Sequence, residues 1–251
     1  MDQLKSRGVV LDGLTVGYGP GLEVLRGLTA TIAPGDFVTI VGGNGAGKST
    51  LLKAIAGEIG LTSGRLWLDG EDISSWSSIR RSGVVAQVVQ DPRRGTWASL
   101  SIAENFSLAA SRGKRRSFGG ACTLSMRALL ADRLRDIGLQ DRLDDPMSDF
   151  SGGQRQVMSL LMATMQPCRL LLLDEHTAAL DPTMARKVME WTCRIAEEKR
   201  LTILMVTHSM HHALHYGNRT WLLEQGRVAY DWQGSERALL QPKDLLACLE
   251  S

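Results

Sequence analysis

The run FVTIVGGNGAGKST, residues 37–50, decides how this chain is read. Its first half is apolar and rich in β-branched residues, as a buried strand requires. Its second half places glycine at 42, 43, 45 and 47, ahead of Lys48, Ser49 and Thr50. Glycine at that density lets the backbone curl so that amide N–H groups along Gly42, Gly43, Asn44, Gly45, Ala46 and Gly47 turn inward on phosphate oxygens. Lys48 adds a cation for the β- and γ-phosphates, and the Ser49 hydroxyl an oxygen ligand for Mg²⁺. Residues 48–58 are helix formers with apolar Leu51, Leu52 and Ile55 on one face, so strand, glycine loop and helix follow in the order a phosphate-binding loop needs. The positive end of that helix strengthens the attraction.

Outward from this run the chain alternates. Strands and turns are expected over 9–19 (VVLDGLTVGYG) and 28–33 (LTATIA), then at 65–68 and 84–89. Residues 91–165 turn helical, interrupted by a Gly-, Ser- and Arg-rich patch at 111–120. LLLLD at 170–174 is a continuous apolar run suited to a strand covered on both faces of a parallel sheet. A helix over 182–199, a strand over 201–206, short strands at 220–224 and 227–231 meeting at Gln225-Gly226, and a closing helix over 236–249 complete the pattern. No internal repeat is present, so one unit is expected.

With 251 residues, 43% hydrophobic and 22% charged, the chain can bury one substantial core. No run approaches the ~18 consecutive apolar residues of a membrane-spanning helix, and the opening MDQLKSRG lacks a signal-peptide apolar region. Any membrane role is therefore expected to come through a partner. A net charge of +2 does not favour nucleic acid as a partner. Cys122, Cys168, Cys193 and Cys248 are scattered without C-x-x-C spacing, which reads as separate reduced thiols.

Two further stretches carry chemistry. Asp174 ends the apolar strand, where the chain leaves the ligand-binding edge of such sheets, a position suited to a carboxylate holding Mg²⁺, and Glu175 follows it. FSGGQRQ, residues 150–156, sets small residues at the start of a helix, which permits close backbone approach and turns a positive helix end outward.

Taken together, GGNGAGKST, FSGGQRQ and the Asp174-Glu175 pair resemble the ATP-binding cassette (ABC) family, and the resemblance spans nearly the whole chain. It implies an α/β fold: a P-loop cassette with a mixed-sheet core, an antiparallel β subdomain and an inserted helical lobe. One domain over 1–251 is expected, divided into β subdomain and P-loop core (1–90), helical lobe with the signature motif (91–165) and the remaining core with a C-terminal helix (166–251). It further implies ATP hydrolysis with Mg²⁺ held by Ser49, Gln90 and Asp174. Glu175 would polarise the attacking water, and His208, in MVTHSM, would bond the γ-phosphate. Tyr18 would stack on adenine, Gln90 would join the core to the lobe, and Asp181, in ALD, would lie in the loop crossing to a partner subunit. Ser151, Gly152, Gly153 and Gln154 would complete the site in trans, on ATP held by a second copy. Permease subunits and an extracytoplasmic substrate-binding protein are the other implied partners, at the cytoplasmic face of the inner membrane.

Several positions depart from the common pattern or invite other readings. Phe150 replaces the usual leucine, and His176 stands where proline usually follows the glutamate, able to perturb the loop or titrate near the site. His208, His211, His212 and His215 have metal-like spacings on one helix face, which would compete with the role of His208. The basic run at 112–116 reads as a solvated loop, with anionic headgroups or a membrane partner as the other reading. DEHTAALDP, with QDPRRGTWASLSIAEN, LLMATM and HYGNRTWLLEQGRV, resembles a bacterial subgroup of importer ATPases that accompany permeases of the branched-chain amino-acid type. An exporter subunit, or a soluble ABC ATPase outside transport, is the alternative; a module that holds ATP without hydrolysis is disfavoured by the intact Lys48, Asp174, Glu175 and His208.

Overall fold

The structure is a computed structural model that describes residues 8–19, 21–112 and 123–250. Two sheets carry it. The first is antiparallel, in the order β2-β1-β4-β5, formed by β1 (Val9–Gly17), β2 (Glu23–Ile32), β4 (Ser63–Leu68) and β5 (Glu71–Asp72). The second has six strands in the order β10-β9-β3-β8-β7-β6, with β3 (Phe37–Gly42), β6 (Val85–Val88), β7 (Leu170–Asp174), β8 (Thr202–Val206), β9 (Arg219–Glu224) and β10 (Arg227–Gln233). Five of these run parallel and β10 pairs antiparallel with β9, so the sheet is mixed.

The apolar run in β7 is continuous because both faces are covered. Leu171 and Leu173 point into one core with Ile203, Met205, Phe106, Leu130 and Leu160. Leu170 and Leu172 point into the other, with Ile40, Leu204, Leu51, Ile55 and the antiparallel sheet's Leu11, Leu14 and Leu25. The first core joins the sheet to the helices α3 (Ile102–Ala110), α4 (Leu124–Leu134), α5 (Gly152–Ala163) and α6 (Pro182–Lys199). The second joins it to α1 (Lys48–Ala56) and to β1 and β2. The short α2 (Ser78–Arg81) carries Arg81, whose buried guanidinium donates to the carbonyls of Ala54 and Ile55 and so caps the C-terminus of α1.

Register places the functional edge. Ile40 of β3 pairs with Val206 of β8, and Val206 with Asp174 of β7. The three strands therefore finish level, and the residues that follow them, the glycine loop, Thr207-His208 and Glu175, emerge side by side.

Two expected helices are corrected by the structure. α1 stops at Ala56 because Gly57 takes φ 78° and donates its N–H back to Ala54 and Lys53, a left-handed termination open to glycine. The closing helix is two: α8 (Gly234–Leu239) and α9 (Pro242–Glu250), with Leu240 extended at ψ 140°. Pro242 lacks an N–H and disfavours helical geometry at Gln241, so the chain restarts rather than continues. No helix among the described residues is long and apolar enough to cross a membrane.

Candidate functional site

β3 delivers the glycine loop to the edge and α1 carries its cations away from solvent. Gly42 is required by packing, since a Cβ there would lie 2.4 Å from the Leu223 carbonyl oxygen of β9. Gly47 takes φ 102°, which bends the loop into α1. Gly43 and Gly45 have open space on their Cβ side, so their freedom leaves a concave backbone. Lys48 is 6% exposed, and its Nζ donates to the carbonyls of Gly42 at 2.8 Å and Gly43 at 2.9 Å. Burial lowers the pKa of this ammonium, while the charges of Glu175 and Asp174 oppose that shift. The loop is further fixed by the β9–β10 turn, where Gly226 donates its N–H to Ala46 at 3.0 Å.

Ser49 Oγ donates to Asp174 Oδ1 at 3.3 Å. Burial, then the neighbouring Glu175 charge, pushes the Asp174 carboxyl up, and the Ser49 hydrogen bond pulls it back. A hydroxyl beside a desolvated carboxylate is an all-oxygen donor set, which suits Mg²⁺ better than a soft metal. Glu175 takes φ 48°, in the left-handed region, at a cost of roughly 1–2 kcal/mol for a residue with a Cβ. Its N–H donates to Val206 O at 3.1 Å, which turns its side chain toward His208, whose Nε2 lies 2.6 Å from Glu175 Oε1. Among the described residues Asp69, Arg200 and Gln225 share this left-handed conformation, so it is the His208 contact that sets Glu175 apart.

The remaining expected residues divide. Tyr18 is 60% exposed, with its Oη 3.5 Å from Thr50 Oγ1, so its ring stands free beside the start of α1. Gln90 follows β6, and Gln156 of α5 donates to the preceding Val89 carbonyl at 3.3 Å, so the strand end and the lobe are tied together there. Asp181 caps α6, accepting from the N–H groups of Thr183 and Met184. Ser151 and Gln154 form a reciprocal capping box on α5, at 3.3 Å and 3.0 Å. Their side chains are thus committed to the helix end, and exposed Gly152 leaves its N-terminus approachable.

Gly153 has a second reason to be glycine. A Cβ there would lie 2.1 Å from Met184 Cγ, because α5 and α6 touch at this point. Gly153→Ala is therefore expected to lower stability by ~1–3 kcal/mol through overpacking. Met184→Ala in the same chain should recover part of it in thermal denaturation; no recovery would place the cost elsewhere.

Three readings are corrected by the geometry. His176 is 2% exposed, pairs through Nε2 with Thr192 Oγ1 at 3.3 Å, and is pushed down to about 3 by burial and then by His212. It is a neutral core residue, not a group that titrates at the site. His208 precedes α7 (Met210–His215) and so does not share a helix face with His211, His212 and His215, and no cluster of three or more ligands suited to a metal occurs among the described residues. Arg112 is not solvated: its Nη2 donates to Ala163 O at 3.0 Å and burial lowers its pKa. Residues 113–116 of the basic run, and Cys122, lie outside the described residues. Cys168, Cys193 and Cys248 are not in disulfides.

A glycine loop with its lysine, an acidic strand end and a histidine, all on the carboxyl edge of the parallel strands, define a P-loop ATPase; the antiparallel sheet and helical layer narrow it to a cassette. Residues 25–178 match the family described as ABC transporter, and the chain belongs to that family. It is 40% identical over 235 residues to a tyrosine transport ATP-binding protein of Clostridioides difficile, covering 93% of each chain. It is 34% identical over 209 residues to the thiamine import ATP-binding protein ThiQ of Yersinia pseudotuberculosis, covering 83% of this chain and 84% of that one. Among solved structures, a dimeric ATP-binding cassette in a post-hydrolysis state with ADP and Pi aligns with TM-score 0.74 and 25% identity, covering 90% of this chain and 98% of that one.

Two packing residues near the site carry no sequence signal. Met184 under Gly153 and Arg237 under α7 come from segments distant in the chain, and neither lies in a motif. Of the corrected elements, the end of α1 at Gly57 and the break before Pro242 did carry local signals.

Proposed function

We propose that this chain is the ATP-hydrolysing subunit of a bacterial importer for an amino acid or similar small solute, with an aromatic amino acid as the favoured cargo. The observation that carries the hydrolytic part is the 2.6 Å contact of His208 Nε2 with Glu175 Oε1, beside the Ser49–Asp174 pair. The likeness to a tyrosine transport and a thiamine import ATP-binding protein supports import.

In this reading the amides of residues 42–47 and the Lys48 ammonium hold the β- and γ-phosphates, and Tyr18 stacks on adenine. Ser49, Gln90 and Asp174 would hold Mg²⁺, which would supply positive charge against the phosphates. Glu175 accepts a hydrogen bond from water and orients it in line with the γ-phosphate. His208 bonds the γ-phosphate and fixes the Glu175 carboxylate. The products are ADP and phosphate. Ser151, Gly152, Gly153 and Gln154 of a second copy close the site, with Asp181 in the crossing loop. The whole chain acts as one cassette, its lobe over 91–165 sharing a core with the sheet. Permease subunits dock on the lobe near Gln90, at the cytoplasmic face of the membrane, and a substrate-binding protein outside delivers the cargo.

The test is the reconstituted complex, purified with the permease that accompanies the chain. Hydrolysis should rise when a liganded binding protein is added from outside, and Gln90→Ala should blunt that rise more than it changes ATP affinity. Stimulation by a solute on the cytoplasmic side, with no binding protein, would mark an exporter.

A further inference from the structure

α7 has six residues, too short to hold its shape alone, yet it begins two residues after His208. Its N-terminus is ordinary: Ser209 Oγ accepts from His212 N at 3.2 Å, and Ser209 N donates to Thr207 Oγ1 at 3.1 Å. Its C-terminus is not. The Arg237 guanidinium, reaching from α8, donates through Nη2 to the carbonyls of Ala213 at 3.0 Å, Leu214 at 3.1 Å and Tyr216 at 2.7 Å. Its Nε donates to Thr220 Oγ1 of β9 at 2.9 Å. Thr220 Oγ1 in turn donates to Ala213 O at 3.0 Å, and Thr39 Oγ1 of β3 reaches the same oxygen at 2.8 Å.

Carbonyls at a helix C-terminus need partners from outside the helix; Ala213 O is shared among Arg237 and the two threonine hydroxyls, and Arg237 also serves Leu214 and Tyr216. A cation at a helix C-terminus also opposes the negative end of the dipole. The rigid fork of arginine serves several acceptors from one point, which a lysine ammonium on a flexible stem cannot reproduce. Thr39 lies on the strand that runs into the glycine loop, and α7 follows β8, which ends at Val206 two residues before His208. The cluster therefore ties α7, which begins just after His208, to β3, β9 and α8.

We propose that Arg237 is a positioning residue: by tying the C-terminus of α7 to β9 and α8, it holds His208 at its contact with Glu175. This rests on the reading of His208 and Glu175 as the hydrolytic pair. Arg237 touches neither, so its effect travels through α7.

The test uses the full chain with Arg237→Gln and Arg237→Lys. The imidazole NMR signal of His208, assigned by its loss in His208→Gln, should shift or broaden in Arg237→Gln and less so in Arg237→Lys. The signal of buried His176 should stay in place, which separates loss of position from loss of fold. Turnover should fall roughly 10- to 100-fold in Arg237→Gln, on the scale by which a 1 Å misplacement slows chemistry, while KM for ATP changes by less than about twofold. If Arg237→Gln does not fold, Arg237→Lys decides by the same signal. A His208 signal unmoved in the folded variants overturns the proposal. Wild-type turnover in His208→Gln would instead sink the hydrolytic reading of His208, and the NMR signal would still decide the role of Arg237.

Discussion

Lys48→Ala is expected to reduce ATP hydrolysis by at least ~100-fold, the scale of losing one preorganised donor to developing charge, and to weaken nucleotide binding with it. The effect is large because Lys48 is 6% exposed, so its charge acts through little water and none can take its place. The same substitution removes the bonds to Gly42 and Gly43, at about 1 kcal/mol each. That loss is small against the effect on chemistry, so the variant should remain folded with a slightly lower melting temperature. Steady-state hydrolysis and equilibrium nucleotide binding check it, and wild-type turnover would remove the phosphate site from this loop.

Glu175→Gln should separate binding from chemistry. The amide keeps the shape of the side chain and an oxygen for His208, now at 2.6 Å from the carboxylate, but it cannot polarise water. Hydrolysis is expected to fall by roughly 10²- to 10⁴-fold, the range for loss of a general base, with ATP affinity retained. The trapped species should sediment as a dimer in ATP. Adding Ser151→Arg should return it to monomer by crowding the approach to Gly152. Because Ser151 also caps α5, Ser151→Ala in the Glu175→Gln chain is the control: it loses the cap, at about 1 kcal/mol, without the bulk. A dimer in the Ser151→Arg variant would contradict closure of the site in trans.

Much of this was legible because local rules and global fold agree. Glycines at 42, 43, 45 and 47 mark a loop that only a curled backbone explains, and LLLLD marks a strand with two covered faces. The capping box of Ser151 and Gln154 belongs to the structure; in the sequence these residues read only as a small-residue helix start acting in trans. His176 shows the opposite case. A histidine beside the acidic pair reads as a titratable group, and only the packing of Thr192 against it reveals a neutral, buried ring.

The sequence by itself determined that strand, loop and helix would follow one another from residue 37, that acids would end β7, and that a glycine-rich helix start would stand at 151–154. Each depends on residues close in the chain, where backbone freedom and hydrophobic period act directly. Only the tertiary structure decided that β3 lies between β8 and β9, with Ile40, Val206 and Asp174 level. It alone set Met184 under Gly153 and the Arg237 fork under α7. Those placements join residues from roughly 20 to more than 150 positions apart; strand order and interhelix approach follow from which faces can be buried together, and no local pattern encodes that choice.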